Sequence, residues 1–112
     1  MTNHKVKCAN FEIANNNSFT LIAGPCQLES EQHALDISKE LKKITLDLKI
    51  NLIYKTSFDK ANRTSIKGQR GMGLEKSLSI FDKIRKEVGV PVLTDVHTAE
   101  QCSLVAPHVD VL

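Results

Sequence analysis

Tryptophan is absent, and aromatic residues of every kind make up only 4% of the 112 residues. The core is therefore expected to be built from Ile, Leu, Val and Ala. An excess of either charge is also missing, since 15 Lys and Arg stand against 13 Asp and Glu for a formal charge of +2. That leaves no whole-protein basic footprint of the kind nucleic-acid binding shows, so the position of the cations matters more than their number. Cysteine is scarce: Cys8, Cys26 and Cys102 form no CxxC or other close pair. An odd, unspaced set argues against a disulfide framework and suits a reducing compartment. No apolar run approaches the roughly 20 residues of a membrane helix. Met1 to Lys7 is polar and charged, without the apolar stretch of a secretory signal. A cytoplasmic protein is expected. With 41% hydrophobic and 25% charged residues, the chain fits one small globular domain.

What is present alternates. Val6 to Ile13 suits a short strand or hairpin arm, and Asn15-Asn16-Asn17 reads as a turn. Phe19 to Ala23 is a compact apolar run ending at Gly24-Pro25, the pattern of a buried strand. Ser30 as N-cap and Glu31 in the first turn open a helix, with Ala34, Ile37, Leu41, Ile44 and Leu48 on one face. Asn51 to Lys55 returns to strand pattern. A second helix is predicted from Leu74 to Val88, closed by Gly89, and Pro91 lies in a strand from Val90 to Thr94. Thr98 to Gln101 has the form of a capping box, and Val109 to Leu112 begins another apolar run. Strict alternation implies a parallel sheet with helical crossovers. A doubly wound open sheet and the start of a (β/α)8 barrel both fit. A last strand with no following helix favours the barrel, with residues 1–17 as an N-terminal cap and 18–112 as its incomplete beginning.

In parallel sheets, functional residues gather beyond the carboxyl ends of the strands. Those ends carry Gly24-Pro25-Cys26, then Lys55-Thr56-Ser57 with Asp59, Lys60, Asn62 and Arg63, then Asp95 and His97. Lys55, Lys60, Arg63, Lys67 and Arg70 fall within sixteen residues, interleaved with Ser57, Asn62, Thr64 and Ser65. Ammonium and guanidinium groups are the usual partners of phosphate, and Arg engages it through two parallel hydrogen bonds. The segment from Thr56 to Gly73 is long for a structureless connection, which points to function. A solvated basic loop fits the same spacing. Nucleic acid fits less well, because Phe58 is the only aromatic there. Cys26 could ligate a divalent metal or be an inert thiol. Cys8 and Cys102 are expected to be structural. His97 could be a ligand, a substrate contact or a loop residue, and His4, His33 and His108 are expected at the surface without partners. Gly71-Met72-Gly73 is read as a turn.

The run Lys55-Thr56-Ser57-Phe58-Asp59-Lys60-Ala61-Asn62-Arg63-Thr64-Ser65 resembles the K-x-S-F-D-K-A-N-R-S-S signature of the 3-deoxy-D-manno-octulosonate 8-phosphate (Kdo 8-phosphate) synthase family. Thr64 stands where that pattern has Ser. Ile22 to Cys26, Leu28-Glu29-Ser30, Arg70 to Glu75 and Thr94 to His97 continue the resemblance, which covers the chain from Phe11 onward. The related 3-deoxy-arabino-heptulosonate 7-phosphate synthases share a GPC element but carry a KPRTS-like motif.

The resemblance implies the N-terminal portion of a (β/α)8 barrel: three β/α units and the start of a fourth strand. It implies a transferase that condenses phosphoenolpyruvate with D-arabinose 5-phosphate in lipopolysaccharide synthesis, as a homo-oligomer, a tetramer, without nucleic acid or membrane. By position, Lys55, Ser57 and Lys60 would hold phosphoenolpyruvate. Asn62, Arg63 and Thr64 would hold the sugar phosphate, in part across a subunit boundary. Asp95 would meet sugar hydroxyls, with Lys55, Lys60 and Asp95 as the catalytic set. Cys26 after Gly-Pro implies the metal-dependent class, using Mn, Fe or Zn, although one thiolate cannot hold a catalytic metal alone. Lys67 departs from the histidine of the pattern. Two alternatives stay open for a chain of this length: a catalytically inactive remnant and a small phosphate-binding α/β module.

Overall fold

The computed structural model describes residues 3–59 and 73–112. Two short strands, β1 (Val6–Cys8) and β2 (Phe11–Ile13), form an antiparallel hairpin with Cys8 opposite Phe11. The two-residue turn between them places Ala9 at φ 51°. Hairpins favour turns with positive φ because their twist matches that of the strands, and glycine is the usual occupant. Then follow β3 (Thr20–Ala23), α1 (Glu31–Leu48), β4 (Asn51–Lys55), α2 (Leu74–Lys83), β5 (Val92–Leu93) and α3 (Ala99–Val105). A π-helical turn, Ile84–Val88, extends α2, and a 3-10 turn, Ala106–His108, follows α3.

The sheet runs β3-β4-β5, all parallel. Leu93 also pairs in parallel with Val111, so the chain adds a fourth neighbour in sequence order. Successive residues of a strand face opposite sides. Leu21, Ala23, Leu52, Tyr54 and Val92 therefore share one face by register. On that face lies a single cluster that includes Ala34 and Leu35 of α1, Ile80 and Phe81 of α2, and Val105 of α3. The opposite face carries Thr20, Ile22, Ile53, Lys55 and Leu93, none of them in the cluster. Ile22 on that face is 54% exposed. Sequential strand order with every described helix on one side is a singly wound arrangement. A doubly wound sheet would reverse its order and carry helices on both faces.

The core departs from the aliphatic expectation. Tyr54 and Phe81 are its largest fully buried side chains, and Phe58 is 3% exposed. Three of the five aromatics thus sit in the cluster where the sheet meets the helices, each supplying a large apolar surface. The face of α1 is also rotated from the predicted stripe. Ala34, Leu35, Ser38 and Thr45 are buried, whereas Ile44 and Leu48 are exposed. Ser38 donates to the carbonyl of Leu35 (3.1 Å), and Thr45 donates to those of Leu41 and Lys42 (2.9 and 3.0 Å). Hydroxyls that satisfy themselves on the preceding turn are tolerated in an apolar contact, and their small size lets the helix lie close.

The predicted boundaries hold where capping chemistry sets them. The hydroxyl of Ser30 accepts from the His33 amide at 3.0 Å and opens α1. Lys49, at φ 58°, closes it, with its amide donating to Leu46 and that of Ile50 to Thr45. Gly89 at φ 76° ends the π turn, donating to Ile84 at 3.1 Å. The Gln101 side chain accepts from the Thr98 amide at 3.3 Å, completing the capping box of α3. Among the described residues, no helix is long and apolar enough to cross a membrane.

Candidate active-site rim

The carboxyl ends of β3, β4 and β5 stay paired as they leave the sheet. The amide of Ser57 donates to the Cys26 carbonyl (3.4 Å), and the Ser57 carbonyl accepts from Leu28 (2.9 Å). Gln27 and Ser57 thus form a further parallel bridge. On the other side, the Thr56 amide donates to Leu93 at 3.3 Å, and the hydroxyl of buried Thr94 donates to the Thr56 carbonyl at 2.8 Å. Three segments (Gly24–Leu28, Lys55–Asp59 and Thr94–His97) therefore form one rim.

Gly24 is required at that rim. A Cβ there would lie 1.9 Å from the Lys55 carbonyl oxygen, so only glycine lets β3 and β4 approach this closely. Lys55 ends β4 on the helix-free face, with its Nζ 3.4 Å from the Ser57 hydroxyl. Cys26 is exposed and carries a free thiol. Asp95 approaches His97, Oδ2 to Nε2, at 3.6 Å, and its other oxygen, Oδ1, is buried with no hydrogen-bond partner among the described residues. The Nε2 of His97 lies 2.7 Å from the Asp59 carbonyl, and its ring packs on Phe58 at a centroid distance of 5.8 Å.

Cys26, Lys55, Ser57 and Asp95 are thus brought to the same end of the sheet. Lys60, Asn62, Arg63 and Thr64, with Lys67, Arg70 and the Gly71–Met72 turn, lie outside the described residues. The thiolate of Cys26 suits a borderline divalent ion, but a metal centre needs about three protein ligands. Among the described residues, no three His, Cys, Asp or Glu side chains group into such a site, so Cys26 and its described neighbours do not fit a metal by themselves. The links between strand ends through Thr94 and His97 lie beyond the sequence expectations. The Thr-Asp-x-His spacing after a strand was their one visible signal.

The opposite end of the sheet is built differently. The hairpin lies beside the amino ends of the strands, and a cavity of about 640 Å³ there is lined in part by Lys7, Glu12, Lys49 and Asn51. Asp110 accepts from the Val92 amide at 2.9 Å and pairs with Arg85 at 3.2 Å, tying β5 to the π turn. Cys8 is buried, as expected of a structural thiol, and burial together with nearby Asp110 raises its pKa. Cys102 is instead exposed on α3. His108 also departs from expectation, since its Nδ1 lies 2.8 Å from an Asp82 carboxylate oxygen. His33 is only half-exposed, with Glu29 one helical turn away. Burial pushes the Tyr54 hydroxyl up to about 12.

A family model described as the DAHP synthetase I family matches residues 3–112. The chain belongs to that family. Within the DAHP synthetase I family it is similar to proteins named 2-dehydro-3-deoxyphosphooctonate aldolase. The one from Mesorhizobium japonicum is 57% identical over 110 residues, which is 98% of this chain and 40% of that protein. Those from Brucella anthropi and Brucella ovis are each 56% identical over the same shares. The chain therefore spans about 40% of the length of the curated relatives it matches.

Proposed function

We propose that this chain is the N-terminal part of a (β/α)8-barrel enzyme. The enzyme condenses phosphoenolpyruvate with D-arabinose 5-phosphate and water to give 3-deoxy-D-manno-octulosonate 8-phosphate and inorganic phosphate, in lipopolysaccharide synthesis in the cytoplasm. The supporting observation is the shared rim, where Lys55, Ser57 and Asp95 stand together at the strand carboxyl ends. Both substrates are anions, and placing them side by side demands concentrated positive charge. Lys55 meets this from the helix-free face, the face that would become a barrel interior. Lys55 and Ser57, with Lys60, hold phosphoenolpyruvate, and Asn62, Arg63 and Thr64 hold the sugar phosphate, in part across a subunit boundary of a homotetramer. Asp95, with one buried oxygen unpartnered among the described residues, accepts from a sugar hydroxyl.

Carbon–carbon bond formation builds negative charge on the sugar carbonyl oxygen, and water must reach the enol-ether carbon. Fixed cations stabilise such charge most strongly where water is scarce. Cys26 implies the metal-dependent class, with Mn, Fe or Zn held jointly with ligands from outside these 112 residues.

A chimera tests the reading: this chain replacing the matching segment of the Mesorhizobium japonicum relative. Phosphate should be released only when both substrates are present, and Lys55→Ala should lower kcat/KM by about 100-fold or more. A well-folded chimera without phosphate release contradicts it. The isolated chain, at 40% of its relatives' length, is expected to bind phosphoenolpyruvate without turning it over.

A further inference from the structure

We propose that His97 is a positioning residue that fixes the Nε2–H tautomer and thereby couples the loop after β4 to Asp95. A backbone carbonyl only accepts, so the 2.7 Å approach of Nε2 to the Asp59 carbonyl requires the proton on Nε2. The ring is held by its tilted contact with Phe58, which is 3% exposed and anchored in the core. The same Nε2 lies 3.6 Å from Oδ2 of Asp95. That distance is too long for a hydrogen bond but close enough to bias the carboxylate's rotation. Oδ2 is thereby assigned to His97, and Oδ1, buried and without a partner among the described residues, is left for a ligand. Asp59 immediately precedes the cationic segment that begins at Lys60. One imidazole therefore sets both where that segment departs and which oxygen Asp95 presents.

The inference rests on the rim being a substrate site, and its test separates the two claims. Long-range ¹⁵N–¹H spectra of the 112-residue chain should report His97 as the Nε2–H tautomer. His97→Ala should shift the Asp59 amide and the Asp95 carboxyl resonances. His97→Gln, whose amide donor reaches a similar position, should restore both. In parallel, D-arabinose 5-phosphate should bind the His97→Ala variant about tenfold more weakly, and Gln should recover most of that loss. An Nδ1–H tautomer, or unmoved Asp59 and Asp95 signals in His97→Ala, overturns the inference. Equal affinity of wild type and His97→Ala overturns it as well. Should the wild-type chain bind no sugar phosphate, the substrate reading fails, and the tautomer and the resonance shifts alone decide the role of His97.

Discussion

Tyr54 is the only tyrosine of a chain without tryptophan, and it lies fully buried with no hydroxyl partner among the described residues. An unsatisfied buried hydroxyl costs about 1–3 kcal/mol, so Tyr54→Phe is expected to be neutral or stabilising in urea unfolding. The folded pKa is raised to about 12 from an ordinary 10. The unfolded chain therefore ionises first, and stability present below pH 10 is lost as pH rises toward 12. Near-UV absorbance should show this single phenol titrating late, together with unfolding, and Tyr54→Phe should move the alkaline limit upward. Gly24 carries the opposite constraint, because an added methyl meets the Lys55 carbonyl at 1.9 Å. Gly24→Ala is expected to cost about 1–3 kcal/mol, as overpacking does, and to broaden or shift the Lys55 and Ser57 amide signals. Unchanged stability and spectra would mean that the strands part without penalty. Neither site is readable from composition: a lone aromatic does not announce its depth, and a glycine before proline looks like any turn.

At the scale of elements, legibility followed local chemistry. The strand Asn51–Lys55 and the end of the α2 helical run at Val88 were visible in full, because a short apolar run and a C-cap glycine act through near neighbours. Ser30→Ala should lower stability by about 1 kcal/mol and increase amide exchange in the first turn of α1, where the His33 amide loses its acceptor. Unchanged exchange at His33 would remove Ser30 as the cap. The α1 face was misread because Ser38 and Thr45 hide their polarity on their own helix, while Ile44 and Leu48 stay exposed. Strand β5 is shorter than the expected Val90–Thr94: only Val92–Leu93 forms it, although backbone bonds continue through Pro91, Thr94 and Asp110. The Asp95–His97 approach lies within the visible Thr-Asp-x-His spacing, but the contact of His97 with the Asp59 carbonyl joins positions 38 apart, which no local spacing reveals.

At the scale of the whole molecule, the two ends of the sheet offer rival sites. The amino end has a cavity beside the hairpin with Lys7 and Lys49, while the carboxyl rim has Lys55 and Asp95. The rim is favoured because its residues are locked together by backbone and side-chain bonds between strands, whereas both cavity lysines are exposed. Alternation of strands and helices made the rim foreseeable, since parallel connection alone sends those strand ends the same way. The most direct measurement is a residue-resolved titration of the 112-residue chain with phosphoenolpyruvate. The expected result is saturable shifts at Cys26, Lys55–Asp59 and Asp95–His97, with Lys7, Glu12 and Lys49 unmoved. Shifts confined to the hairpin cavity, or none at millimolar ligand, would contradict a phosphoenolpyruvate site at the carboxyl rim.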